Sequence, residues 1–140
     1  GDFGLAAGSQ RDIPMLATVS GHAPINAMLL SLLGHTGSRR IRLFFGLRNV
    51  SDLFYTKLLS DLRESHPWFE PTIILSQPDS IGWPGLRGRV TDLINEQVSA
   101  DEASNTDAYL CGGRPMIEEA KRLLIHKGMD VDRIRHENFF

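Results

Sequence analysis

The chain has 140 residues, 41% of them apolar and 23% charged, with a formal net charge of -2. That length fits one domain around one core, and the composition excludes both a disordered chain and a membrane-embedded one. The near-neutral, scattered charge argues against a nucleic-acid partner, which needs a basic stripe to neutralise phosphates, and the longest apolar runs fall short of the ~20 residues that span a bilayer.

Residues 1–14, including "GDFGLAAGSQRD", are rich in Gly and polar groups and read as a linker arriving from another domain. "MLATVS" (Met15 to Ser20) is a buried first strand, followed by a helix from about Pro24 to Leu33. Proline suits the first helical turn because its missing N–H has no partner there. "RIRLFFGL" (Arg40 to Leu47) is a second strand. A helix over Ser51 to Ser65 sets Leu53, Leu58, Leu59 and Leu62 near one face and Lys57, Asp61 and Glu64 away from it.

"PTIILS" (Pro71 to Ser76) is a third strand, and the Pro and Gly density of "QPDSIGWPGLRG" makes that stretch a loop. Trp68 and Trp83 are read as packing or loop-anchoring residues. "VTDLINEQV" is a helix, "DAYLCGG" (Asp107 to Gly113) a fourth strand, and "PMIEEAKRLLIHKG" a helix with Pro115 in its first turn and Gly128 at its end. "RIRHENFF" closes the chain as a fifth strand. Strands of this length alternating with amphipathic helices predict a Rossmann-like α/β fold: a three-layer sandwich with a five-stranded parallel sheet and helices on both faces.

Cys111 is the sole cysteine, which removes any intrachain disulfide, thiolate zinc site or four-cysteine iron–sulfur cluster and favours a reducing, cytoplasmic setting. The five histidines lack metal-ligand spacing, so no metal is expected. Ligands of open parallel sheets bind beyond the carboxyl ends of the strands, where the strand order reverses. Two turns draw attention there. After strand one, Ser20 offers a hydroxyl, Gly21 a close backbone approach and Pro24 a helix start whose positive end faces outward. After strand four, Gly112 and Gly113 open the backbone beside a second helix start, and Arg114 adds a charge. Each turn is equally an ordinary strand-to-helix connection. A hydrolase reading lacks both a Gly-x-Ser-x-Gly elbow and a Ser-His pairing.

The succession "ATVSGHAPINAML", "RIRLFFGLRNVSDLFY", "PTIILSQPDSIGWPGLRGRVTDLI", "DAYLCGGRPMIEEAKRLL" and "HENFF" resembles the pyridine-nucleotide-binding domain of the ferredoxin–NADP reductase superfamily, most of all the NADH-dependent reductase components of bacterial multicomponent oxygenases. The resemblance covers nearly the whole chain. It implies NADH binding with hydride transfer from nicotinamide C4 to N5 of an FAD on a separate flavin-binding domain, and onward electron transfer to an iron–sulfur or oxygenase component. By the same resemblance Ser20, Gly21 and Pro24 face the dinucleotide, while Cys111, Gly112, Gly113 and Met116 line the nicotinamide side. Glu137 and Phe139 match a C-terminal Glu-x-Phe near the flavin, with Cys111 and Glu137 as the catalytic pair. Arg48, Ser76 and Gln77 fall at the adenosine end. The plainer readings are a small buried hydrophobe for Cys111, a capping or surface charge for Arg48 and a solvated carboxylate for Glu137.

Two departures matter. The family writes Gly-Gly-Thr-Gly where this chain has Thr18, Val19, Ser20 and Gly21, and β-branched residues resist positive φ and narrow a phosphate's approach. Gln77 stands where NADPH-dependent relatives carry arginine. A neutral amide suits ribose hydroxyls better than a 2′-phosphate dianion, so NADH is favoured over NADPH, although Arg48, Arg87 and Arg89 leave NADPH open. The alternatives are a non-catalytic nucleotide-binding or regulatory module and an NAD(P)H:flavin reductase.

Overall fold

A computed structural model describes residues 15–20, 40–48, 54–78 and 83–138. Six strands form one sheet: β1 (Met15–Ser20), β2 (Ile41–Leu47), β3 (Phe69–Leu75), β4 (Leu86–Arg87), β5 (Asp107–Gly112) and β6 (Ile134–Asn138). Their order is β4-β3-β2-β1-β5-β6, and every pairing is parallel. The chain therefore builds outward from β1 to β4, then returns to the other side of β1. That reversal falls between β1 and β5.

The α-helices among the described residues are α1 (Phe54–Ser65), α2 (Val90–Gln97), α3 (Ala100–Ser104) and α4 (Arg114–His126), and a single 3-10 turn, Val131–Arg133, leads into β6. Both faces of the sheet are covered, because the two-residue period of a strand sends alternate side chains to opposite sides. On one face Val19, Ile41, Leu43, Phe45, Leu47, Leu75, Tyr109 and Cys111 form a cluster against Leu58, Leu59 and Leu62 of α1. On the other, Leu16, Phe44, Ile74, Ala108, Leu110 and Ile134 meet Leu93 and Ile94 of α2 and Ile117, Ala120 and Leu124 of α4. Lys57, Asp61 and Glu64 are exposed, so the expected polar face of α1 is the observed one. Gly46 lets α2 lie close over β2, since a Cβ there would stand 3.0 Å from that of Val90.

The sheet has six strands, not five. The added strand, Leu86–Arg87, lies within the stretch expected to be loop, where it pairs with Ile74 and Leu75. A two-residue strand is too short for any hydrophobic period. It is fixed by neighbours instead: the Gly88 N–H donates to the Leu75 carbonyl at 2.8 Å, and the Trp83 indole N–H to the Leu86 carbonyl at 2.8 Å. β3 also begins two residues before the expected Pro71, and α3 was not expected at all. The helix expected over Pro24 to Leu33, together with Gly21, Pro24, Leu53 and Phe139, lies outside the described residues.

Candidate functional site

The carboxyl ends of five strands form a row along one edge of the sheet. β1 aligns Val19 with Cys111 on β5 and with Phe45 on β2, so the chain at Ser20 emerges between Gly46 and the end of β5. β6 continues the row, with Glu137 opposite Cys111 and Asn138 opposite Gly112. On the other flank the Ser76 N–H donates to the Leu47 carbonyl at 2.9 Å, and the Gln77 N–H to the Arg48 carbonyl at 2.6 Å. Arg48, Ser76 and Gln77 are thus neighbours, and all three are exposed. At ~4.8 Å per strand, the three steps from β3 to β5 span about 14 Å, room for an extended ligand rather than a compact one.

The turn after β5 is built for close approach. Gly112 has φ +154°, a conformation that L side chains rarely adopt. Gly113 then caps α4 in an extended conformation, and Pro115 lies within the first helical positions. The Gly113 carbonyl accepts from the Ile117 N–H at 3.1 Å, so the helix starts at once and its free N–H groups face the strand ends. Arg114 is exposed beside them. Met116, in the first turn of α4, has its side chain buried among the apolar residues beneath that helix.

Cys111 is fully buried on the face shared with Tyr109. Burial first, and then the negative charge of Glu137, push its thiol up to about 12. It is therefore a neutral thiol at physiological pH, a polarisable group of fixed position and not a nucleophile. Glu137 is half-buried across from it. Sequence reasoning missed Tyr109, which is also fully buried; burial, then the charge of Glu137, hold its phenol far above the usual range. The available signal was its spacing, two residues before Cys111 on one strand and so on the same face. Among the described residues no group of histidine, cysteine, aspartate and glutamate could hold a metal ion, and no helix is long and apolar enough to cross a membrane.

An open parallel α/β domain with helices on both faces, whose sheet reverses beside a glycine turn and a helix start, is the architecture of a nucleotide-binding domain. The chain belongs to the oxidoreductase NAD-binding domain family, whose model matches residues 15–122, within the ferredoxin–NADP reductase superfamily. It is 32% identical over its whole length to the reductase component DmpP of phenol 2-monooxygenase from Pseudomonas sp. (strain CF600), covering 40% of that protein. It is 31% identical to the xylene/toluene monooxygenase electron transfer component XylA of Pseudomonas putida, covering 39% of it. Among solved structures the Amycolatopsis cytochrome P450 reductase GcoB superposes with a TM-score of 0.79 at 26% identity, over 99% of this chain and 41% of that one. The chain thus spans about two fifths of the length of the curated relatives it matches.

Proposed function

We propose that this chain is the NADH-binding domain, residues 15–140, of a cytoplasmic flavin-dependent reductase, reached through residues 1–14 from a flavin-binding domain. Its electrons pass onward to an iron–sulfur or oxygenase component. The observation that carries this reading is the row of strand ends from Gln77 to Glu137, which has exposed polar groups at one end and a glycine turn, a thiol and a carboxylate at the other. The residues fit a reduced dinucleotide. Arg48, Ser76 and Gln77 would hold the adenosine end, with Ser20, Gly21 and Pro24 at the pyrophosphate. Gly112 and Gly113 would give the nicotinamide backbone-close contact, and Cys111 and Glu137 would line the side that meets the flavin, a role the family resemblance also assigns to Phe139. Met116, buried under α4, supports that turn from below. When bound, the nicotinamide supplies a hydride from C4 to N5 of the flavin. The chain's own residues bind and orient: the buried neutral thiol of Cys111 keeps water off the reacting face without introducing a charge that would compete for the transfer.

Calorimetric titration of the chain with NADH tests the reading. Saturable binding below millimolar nucleotide is expected, and its absence overturns the assignment. It would favour the second reading, a non-catalytic module, for which the observation is that Thr18 and Val19, in place of glycines, are both fully buried and fill the strand. Cofactor choice is tested by Gln77→Arg. A guanidinium beside Ser76 and Arg48 is expected to tighten NADPH by about tenfold relative to NADH, since charge-assisted contacts to a phosphate each contribute roughly 1.5–3 kcal/mol. An unchanged ratio of dissociation constants would remove the adenosine assignment.

A further inference from the structure

The mechanism above makes no use of Tyr109, the largest fully buried side chain with a polar group among the described residues. Tyr109 and Cys111 lie two residues apart on β5 and belong to the same apolar cluster, so they share one face of the sheet. Across on β6, Arg135 pairs with Tyr109 and Glu137 with Cys111. Glu137 is therefore the diagonal neighbour of Tyr109 on that face. Diagonal positions are within reach of long side chains, and an aromatic ring with a terminal hydroxyl is one. Arg135 donates to the Asp132 carbonyl at 2.7 Å, back toward the start of β6 and away from the thiol. We propose that Tyr109 is a positioning residue: its buried hydroxyl holds the Glu137 carboxylate beside the Cys111 thiol at the carboxyl end of the sheet.

Three observations converge on it. Glu137 is half-buried at an edge strand, where a carboxylate left to itself turns out to water. A buried hydroxyl requires a partner, and the carboxylate is an acceptor of suitable charge on the correct side. The ionisation of both Tyr109 and Cys111 is opposed by the charge of Glu137, so the three groups lie within electrostatic reach of one another. The consequence for hydride transfer rests on the reading above: a carboxylate fixed in place beside the thiol sets the polarity of the nicotinamide side. The tether itself needs no nucleotide.

Urea denaturation of the 140-residue chain at neutral pH, where Cys111 keeps its proton, reads the coupling between the two side chains. Tyr109→Phe removes one oxygen and frees the carboxylate to leave. The double variant Tyr109→Phe with Glu137→Gln is expected to shift the urea midpoint by clearly less than the sum of the two single shifts, at constant m-value. Fully additive shifts overturn the proposal. The Tyr109 hydroxyl proton, followed by NMR as a slowly exchanging resonance, is expected to move in Glu137→Gln and in Glu137→Asp, because both weaken the acceptor that holds it. A Tyr109 that merely packs would keep the same hydroxyl resonance in both variants, and that result overturns the tether. Should Tyr109→Phe fail to fold, the hydroxyl resonance in the two Glu137 variants carries the test. NADH titration and these measurements fail independently, so loss of the nucleotide reading and loss of the tether are separate results.

Discussion

Thr18 occupies the centre of β1, between Phe44 on β2 and Leu110 on β5, and is fully buried. Its hydroxyl has no hydrogen-bond partner among the described residues. A buried hydroxyl without a partner costs roughly 1–3 kcal/mol by the measure of protein substitutions, and valine has nearly the same shape. Thr18→Val is therefore expected to stabilise the chain by about 1 kcal/mol, read as a higher urea midpoint at constant m-value. The sequence pointed to Thr18 and Val19 as substitutes for glycines, but not to the burial of the hydroxyl. That depends on which strands flank β1, and β5 arrives some ninety residues later. The same holds at the site: the Cys-Gly turn was legible from local spacing, whereas the alignment of Glu137 with Cys111 exists only through the pairing of β6 with β5.

Among the elements, α3 illustrates how a short helix is secured from outside itself. Ser99 caps it, its hydroxyl accepting from the Glu102 N–H at 3.0 Å. Ser99 and Glu102 form the S-x-x-E pattern that marks a helix start, so a signal was present, but five residues carry no readable period. Glu102 then reaches back to β2. Arg42 donates to both its carboxylate oxygens, at 2.6 and 2.5 Å, and to the Gln97 carbonyl at 3.2 Å, while its guanidinium lies 5.2 Å from the Phe44 ring centroid. One side chain thus joins the strand, the end of α2 and α3. Both partners are mostly shielded, so removing one strands the other's charge. Arg42→Ala is expected to cost about 1–3 kcal/mol, measured by chemical denaturation, and Arg42→Lys to recover only part of it because a point charge cannot reproduce the fork. β1, β2, β3 and β5 were legible because their apolar runs are long enough to be buried, whereas the edge strand β6, in which only Ile134 is buried, has no such run. β4 was not legible, since its two residues are held by Trp83 and β3 rather than by their own pattern.

For the molecule as a whole, the two buried acids on one face predict how it responds to alkali. Cys111 ionises near pH 9 when unfolded and is pushed up to about 12 when folded; Tyr109 is raised in the same direction. Across that window the unfolded chain has released a proton that the native chain retains, so stability falls as pH rises. Below about pH 9 both states hold the Cys111 proton and this contribution is constant. The expected slope is up to about 1.4 kcal/mol per pH unit from Cys111 alone. Cys111→Ala should flatten the alkaline limb of a denaturation series taken between pH 8 and about 11, leaving its neutral region parallel to the original. A limb of unchanged slope would mean that the native thiol already ionises as freely as the unfolded one. The flanks of the sheet carry a different consequence. A stranger's backbone approaching beyond β3 finds the two-residue stub of β4 over Ile74 and Leu75 and, along the rest of that border, the charge of Glu70 and the missing N–H of Pro71, and on the opposite side it meets Arg135, His136 and Glu137 in succession. Neither border offers a long, flat, greasy template, so crowded copies of this domain are discouraged from zipping together into fibrils.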